Sequence, residues 1–301
     1  MFKKLFLLFL MMLGTAHAES IRLIIPYAPG GSADQIARVL QSTVSKTIPI
    51  NIEYHPGAGG LIATNLVANN KNNETVLILS SVSIIVNSLS DDATYNIAKD
   101  FKPVANMGIV PLVMIGNKDT TIDKLMKTAS PLFFGSSGIG TTAHISGELL
   151  KQQTKLNLTH VPYKGESASI TGVMGNEVNV LFVAVSVAQN YVDSDKIRLL
   201  AVTGKHRNNN LPNIPTFSEL GIKGFDTMTG WSILLSNSTA DPKVIATLQS
   251  AITESLRDPE VVKLYNKAGV DIDPNNINNA GEFLNAETKK VKVILKSTKL
   301  K

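Results

Sequence analysis

Arg22-Leu-Ile-Ile-Pro-Tyr-Ala-Pro-Gly-Gly-Ser-Ala-Asp34 joins a short apolar run to a helical pattern through a glycine turn. The helix it opens is predicted over 33–47, because Ile36, Val39, Leu40, Val44 and Ile48 recur at helical spacing. Ser32 and Gln35 fit a capping box at its start. Two later junctions repeat the arrangement: Ile50-Asn-Ile-Glu-Tyr-His-Pro-Gly-Ala-Gly-Gly60 and Leu132-Phe-Phe-Gly-Ser-Ser-Gly-Ile-Gly-Thr-Thr142. A strand that enters a helix through glycines exposes the first backbone N–H groups of that helix. Those groups lack intrahelical partners and lie at the positive end of the helix dipole. Glycine lets a ligand approach them closely. Three such turns, if they converge, form a pocket that grips a small anion largely through the backbone.

The rest of the chain extends this alternation. Strands are predicted at 21–27, 49–54, 75–80, 104–115, 131–135, 179–184, 197–203 and 231–235. Helices are predicted at 33–47, 60–69, 122–128, 142–152, 167–175, 242–257, 259–267 and 280–297. The pattern implies an α/β fold with a mostly parallel sheet. Val104–Gly116, apolar and uncharged, and Gly224–Ser236, with the only tryptophan, Trp231, read as crossovers.

The N-terminus reads as an export signal. Lys3 and Lys4 precede the apolar stretch Leu5–Leu13, and Ala16-His-Ala18 fits a cleavage site. Cleavage after Ala18 removes 18 of the 301 residues and leaves 283, enough for two domains. The chain has no cysteine, which rules out a lipoprotein anchor, disulfides, a thiolate nucleophile and a cysteine metal site. Export without cysteine suits the bacterial periplasm. Without Lys3 and Lys4, 27 Lys and Arg face 24 acids, a net charge of +3. The lysines from Lys289 to Lys301 are not interleaved with aromatics, so a nucleic-acid partner is not expected. No histidine pair has ligand spacing, so no metal is expected, and no cofactor.

Two enzyme readings compete. Gly138-Ile-Gly-Thr-Thr-Ala143 formally fits a dinucleotide-binding turn, but no acidic residue follows on a second strand to hold a ribose. Gly135-Ser-Ser-Gly138 falls one residue short of a nucleophile elbow.

Pro26-Tyr-Ala-Pro-Gly-Gly-Ser-Ala-Asp34 followed by Pro56-Gly-Ala-Gly-Gly60 resembles the Bug-type periplasmic receptors of the tripartite tricarboxylate transporter family. Lys99-Asp-Phe-Lys-Pro-Val104, His160-Val-Pro-Tyr-Lys-Gly165, Ile197-Arg-Leu-Leu-Ala-Val-Thr203, Leu211-Pro-Asn-Ile-Pro-Thr-Phe217 and Asp258-Pro-Glu260 extend the likeness in order along the mature chain. The resemblance implies a two-lobed periplasmic binding protein of the Venus-flytrap type, with two crossovers. One lobe would combine 19–116 with 232–301, and the other would hold 117–231. It implies a monomer, not an enzyme, that takes a small carboxylate between the lobes and delivers it to a membrane permease. The alternative is delivery to a sensor ectodomain.

The ligand-binding set expected on this basis is Tyr27, Ala28, Pro29, Gly30, Gly31, Ser32, Ala33 and Asp34 in the first turn. To these are added Gly57, Ala58, Gly59 and Gly60 in the second, and Ser81 after the strand at 75–80. Ser136, Ser137, Thr141, Thr142 and His144 come from the third junction, and Val183 is placed at the distal end of the ligand. Asp34 also suits the first turn of a helix on its own account. A side chain at Gly30 or Gly59 is expected to fill the anion's space, and a charge at Val183 to alter ligand choice. The chain departs from the family pattern at Tyr54 and His55, where Asn-Arg is usual, and at Glu166, where a small or neutral residue is usual. Asn179 stands where Asp is common, and Val183 and Ala184 replace residues that are often polar.

Overall fold

The computed structural model describes residues 20–298, with side chains described to 292. The expected signal peptide lies outside the described residues. The first stretch holds β1 (Ile21–Ile25), α1 (Ser32–Val44), β2 (Ile50–Tyr54), α2 (Leu61–Ala68), β3 (Val76–Ser80), α3 (Ser83–Asn87), α4 (Ile97–Asp100) and β4 (Phe101–Val110). Next come β5 (Leu112–Asn117), α5 (Ile122–Lys127), β6 (Leu132–Ser136), α6 (Thr142–Thr154), β7 (Leu158–Pro162), α7 (Glu166–Met174), β8 (Val180–Ala184), α8 (Val185–Ala188) and β9 (Ile197–Val202). The chain then returns through β10 (Gly230–Asn237), α9 (Pro242–Ser255), α10 (Pro259–Lys267) and α11 (Ala280–Thr298).

Two five-stranded sheets result, ordered β2-β1-β3-β10-β4 and β7-β6-β8-β5-β9. β1 runs parallel to β2 and β3, with Leu23 opposite both Ile52 and Leu77. β10 runs antiparallel to β3 and β4. In the second sheet β6 is parallel to β7 and β8, and β5 is antiparallel to β8 and β9. Both sheets therefore follow one pattern. The antiparallel strand inserted in each, β10 or β5, is the one that has just crossed from the other sheet.

The apolar run Val104–Gly116 reads as one strand over 104–115 that makes the crossover, with the lobe boundary between 116 and 117. The structure instead splits the run at Pro111, leaving β4 in the first sheet and sending β5 into the second. Proline has no N–H for a ladder and a fixed φ, so it ends one strand and begins another. Its carbonyl accepts from the N–H of Val185 at 3.0 Å. The return crossing ends at Gly230, the first residue of β10, against an expected boundary between 231 and 232. β7, α3, α4 and α8 are additional to the predicted elements.

The apolar faces pack into three buried groups. One runs through both sheets, from Leu23, Ile25 and Leu40 through Val110 and Val113 to Ile170 and Val183. Another joins the first sheet to α2 and α11 through Ile24, Val67, Ile78 and Leu284. The third surrounds Phe134, Phe182, Phe217 and Phe225. Burial of this apolar surface is the main force holding the layers together. Among the described residues, no helix is long and apolar enough to cross a membrane.

Candidate functional site

Residues just past the C-terminal ends of β1, β3 and β6 border one cavity with the start of β10. Open α/β sheets place ligands at those ends. The cavity has a volume of about 80 Å³. That is several times the roughly 10–15 Å³ a single water needs, room for a few waters or a small metabolite group. Ile36, Leu79, Val110, Leu112, Ala143 and Trp231 form its apolar wall. Tyr27, Ser32, Ser80, Ser81, Ser137, Thr141, Thr142 and Ser232 supply hydroxyls, and among the described residues Glu166 is the one charged lining side chain.

Tyr27, Ala28, Gly31, Ser32 and Ala33 of the first turn line this cavity; Pro29, Gly30 and Asp34 do not. The buried Asp34 carboxylate accepts from the Gly30 N–H at 2.9 Å, the Arg38 Nε–H at 2.9 Å and the Tyr54 hydroxyl at 2.7 Å. It pins the turn. Gly30 sits at φ +89°, which favours glycine. The capping box does not form: the cap is Gly31, with no side-chain bond. The Ser32 hydroxyl turns to Glu166 instead.

The Tyr27 hydroxyl lies 3.2 Å from Ser81 Oγ and 3.0 Å from Ser83 Oγ. Burial pushes its pKa up, the two serines pull it down, and the charge of Glu166 adds to the rise. The phenol therefore stays a neutral hydrogen-bonding group near neutral pH. His55 lies away from this cavity, 3.6 Å from Glu53.

The second turn does not line the cavity. Ala58–Gly60 is a single 3-10 turn with φ +59° at Gly59 and +93° at Gly60. A Cβ on Gly59 would strike the carbonyl oxygen of Ile139, and one on Gly138 would lie 2.8 Å from Gly59 Cα. The second turn thus seats the third, backbone against backbone. The Asn87 side chain donates to the Gly59 carbonyl at 3.1 Å and closes it from behind. A side chain at Gly59 would wedge these turns apart; it would not fill a space held for an anion.

Ser137, Thr141 and Thr142 of the third junction line the cavity; Ser136 and His144 do not. Thr141 caps α6 by accepting from the His144 N–H at 3.3 Å, and its hydroxyl donates to the Gly138 carbonyl at 2.7 Å. Ser136 is fully buried. It donates to the Gly138 carbonyl at 3.0 Å, accepts from the Gly138 N–H at 3.1 Å and lies 2.7 Å from His160 Nε2. Which of Ser136 and His160 donates in this contact depends on the tautomer of the ring. The spacing is that of a nucleophile and base, but this serine has no exposed surface. The ring of His144 stacks on His160 with centroids 3.9 Å apart, and its Nδ1 accepts from the Gly140 N–H at 3.2 Å. Burial lowers the pKa of His144 to about 4. It lowers that of His160 to about 3, with the neighbouring His144 adding to the effect. Both rings are neutral props for the third turn.

Val183 is fully buried in the core, opposite Val113 in the β5–β8 pair, and does not reach the cavity. A charge there would strike the core rather than a ligand contact. Asn179 clasps the second sheet by exchanging hydrogen bonds with the backbone of Phe133.

The residue that sequence reasoning left outside the site is Glu166, at the start of α7. The N–H and the hydroxyl of Ser32 both donate to its Oε2 at 2.7 Å, and the Ala184 N–H donates to Oε1 at 2.7 Å. Nearby, the Ala28 N–H donates to the Lys164 carbonyl at 3.1 Å and Ser167 Oγ to the Pro29 carbonyl at 3.2 Å. The β7–α7 turn thus clamps the first glycine turn. The only prior signal was that a glutamate breaks the family pattern at 166. Ile36, Leu79, Ser80, Val110, Leu112, Ala143, Gly230, Trp231 and Ser232 were also missed as lining residues. The Trp231 indole is fixed by donating to Glu287 on α11 at 2.9 Å.

Two sheets of this order, exchanging strands at two crossings and bordering a shared cavity, define a two-lobed periplasmic binding protein fold. The model of the tripartite tricarboxylate transporter family receptor matches residues 36–300, and the chain belongs to that family. It is 30% identical to the protein BugT of Bordetella pertussis over 267 residues, covering 85% of this chain and 82% of that one. It is similar to the solved periplasmic binding protein BugD, with a TM-score of 0.83, 25% identity, and coverage of 94% of this chain and 98% of that one. It shares its fold with MatC of Rhodopseudomonas palustris, solved with bound malate. The TM-score there is 0.82, with 22% identity and coverage of 92% and 98%.

Proposed function

We propose that this chain is an exported solute receptor of the periplasm. It captures a small carboxylate between two lobes and delivers it to a membrane permease of the tripartite tricarboxylate type. The lobes are 19–116 with 232–301, and 117–231, with the first crossing drawn back to Pro111. The observation that carries the reading is the cavity, bordered from one sheet by the turn at 27–33 and from the other by Ser137, Thr141 and Thr142. Backbone N–H groups and hydroxyls fixed by strands and helix starts need little ordering when an anion arrives. Lobe closure buries the ligand and creates the shape that the permease reads. Catalysis has no place in this scheme, and the receptor works as a monomer. Family membership supports the carboxylate, and the malate held by one protein of the same fold agrees with it.

A thermal-shift screen over mono-, di- and tricarboxylates, amino acids and aromatic acids tests the proposal. A ligand present at about 100 times its dissociation constant stabilises by about 2.7 kcal/mol. A shift with a carboxylate is expected; a shift only with uncharged solutes would contradict the assignment. Deletion of the permease should abolish uptake of the same acid. A ligand-dependent response surviving that deletion would point to a sensor instead.

A further inference from the structure

We propose that Glu166 is a specificity-determining residue: it supplies from within the chain one carboxylate that a diacid would otherwise bring, so the cavity selects monocarboxylates. The inference rests on the carboxylate reading above and concerns which acids satisfy it.

The argument starts from donors. The Ser32 N–H belongs to the first turn of α1, and Ala184 immediately precedes α8 in the other sheet's part of the chain. Both point at one spot from opposite sides, and the Ser32 hydroxyl joins them. Such a set suits a carboxylate, because two oxygens can take the three bonds and the start of α1 favours negative charge. Glu166 fills the spot, with each bond at 2.7 Å. Its carboxyl also closes over Gly31, where a Cβ would lie 3.0 Å from Oε2.

Two consequences follow for a guest. These donors are already taken, so a second ligand carboxylate would have to displace Glu166 to use them. The same guest would also face a cavity whose one charged lining side chain is negative, with no lysine, arginine or histidine among the lining residues to offset it. A single carboxylate avoids the first penalty and bears the second only once, by binding among the hydroxyls of Tyr27, Ser81, Ser137 and Thr142.

Two measurements on the mature protein test this. In the first, straight-chain mono- and dicarboxylates of matched length, from three to eight carbons, are titrated calorimetrically into wild type and Glu166→Ala. Wild type should prefer the monoacid of each length at least tenfold, and the variant should lose that preference by gaining diacid affinity. A wild-type preference for diacids, or an unchanged ratio in the variant, overturns the role of Glu166. If no acid of either series binds either protein, the carboxylate reading itself fails along with this one. In the second, formate is added at constant ionic strength against a chloride control. It should raise the melting temperature of Glu166→Ala, by refilling the vacated donors, and leave wild type unmoved. Equal shifts in both proteins contradict the proposal. If Glu166→Ala does not fold, Glu166→Gln carries the titrations alone. It keeps the side-chain volume but sets an N–H₂ group against N–H donors, so a diacid carboxylate should displace it more readily than Glu166, and an unchanged ratio overturns the role.

Discussion

The first and second glycine turns stand on neighbouring parallel strands and read alike, yet they meet different things. The turn after β1 opens onto the cavity through Ala28, Gly31 and Ser32. The turn after β2 meets the third turn, with Gly59 packed against Gly138 and Ile139. In both, glycine allows close approach to the backbone. The pattern does not reveal whether the approaching group is a ligand or another stretch of chain. The first turn is held by a buried carboxylate, Asp34, which fixes the Gly30 N–H. The second is held by the Asn87 side chain on the Gly59 carbonyl. One turn is built to present donors, the other to be covered.

The largest expected effect separates the two most sharply. Gly59→Val puts an L side chain at φ +59°, at a cost of about 1–2 kcal/mol, and drives it into the Ile139 carbonyl. Acid binding measured by calorimetry should weaken about 100-fold or more, equivalent to about 2.8 kcal/mol, because the lobes no longer close. Gly30→Ala should weaken it less, since its Cβ meets only the rotatable Ser167 hydroxyl at 2.9 Å. Equal losses at the two positions would erase the distinction.

Asp34→Ala comes next. It strands the Gly30 N–H, the Tyr54 hydroxyl and the Arg38 guanidinium, at a cost of about 1–3 kcal/mol in a partly buried network. At about 2–4 °C per kcal/mol for a chain of this size, calorimetry should show a clear fall in melting temperature. An unchanged melting temperature with lost binding would make Asp34 a ligand contact after all.

Acid should act on the third turn. The folded pKa values of His144 and His160, about 4 and about 3, lie below the unfolded value near 6.5. As pH falls below about 6.5 the unfolded chain takes up protons that the folded one refuses, so stability drops until the folded rings titrate. Counting only the more deeply buried His144, the loss is about 2 kcal/mol by pH 5. Melting temperature measured from pH 7.5 to 5 should fall, and less steeply in His144→Gln. A profile identical in the variant would contradict the neutral ring pair.

Tyr27→Phe should have the smallest effect. It removes one hydroxyl shared with Ser81 and Ser83, worth about 1 kcal/mol or roughly fivefold in affinity.

The layered fold was legible because periodicity is local: the stripe from Ile36 to Val44 identifies α1 without knowledge of its neighbours. The break at Pro111 was hidden inside an apolar, uncharged run that reads as one strand whichever sheet each half joins. β7 was obscured by Thr159 and His160, which interrupt its apolar face. Of the residues expected from the sequence, Tyr27, Ala28, Gly31, Ser32, Ala33, Ser81, Ser137, Thr141 and Thr142 line the cavity. The partners of each turn were not legible. Asp34 meets Tyr54, Gly59 meets Ile139, and Ser32 meets Glu166 across 134 residues of sequence. The first pairing comes from α1 packing beside β2, the other two from the meeting of the two sheets' loops, and no spacing rule encodes them.

The most direct test is a crystal structure of the mature protein with the tightest-binding acid from the screen. The account predicts its carboxylate between the 27–33 turn and Ser137–Thr142, with the Gly57–Gly60 turn still packed on Gly138 and Ile139. A carboxylate bound on the Gly57–Gly60 turn, or outside this cavity altogether, would contradict it.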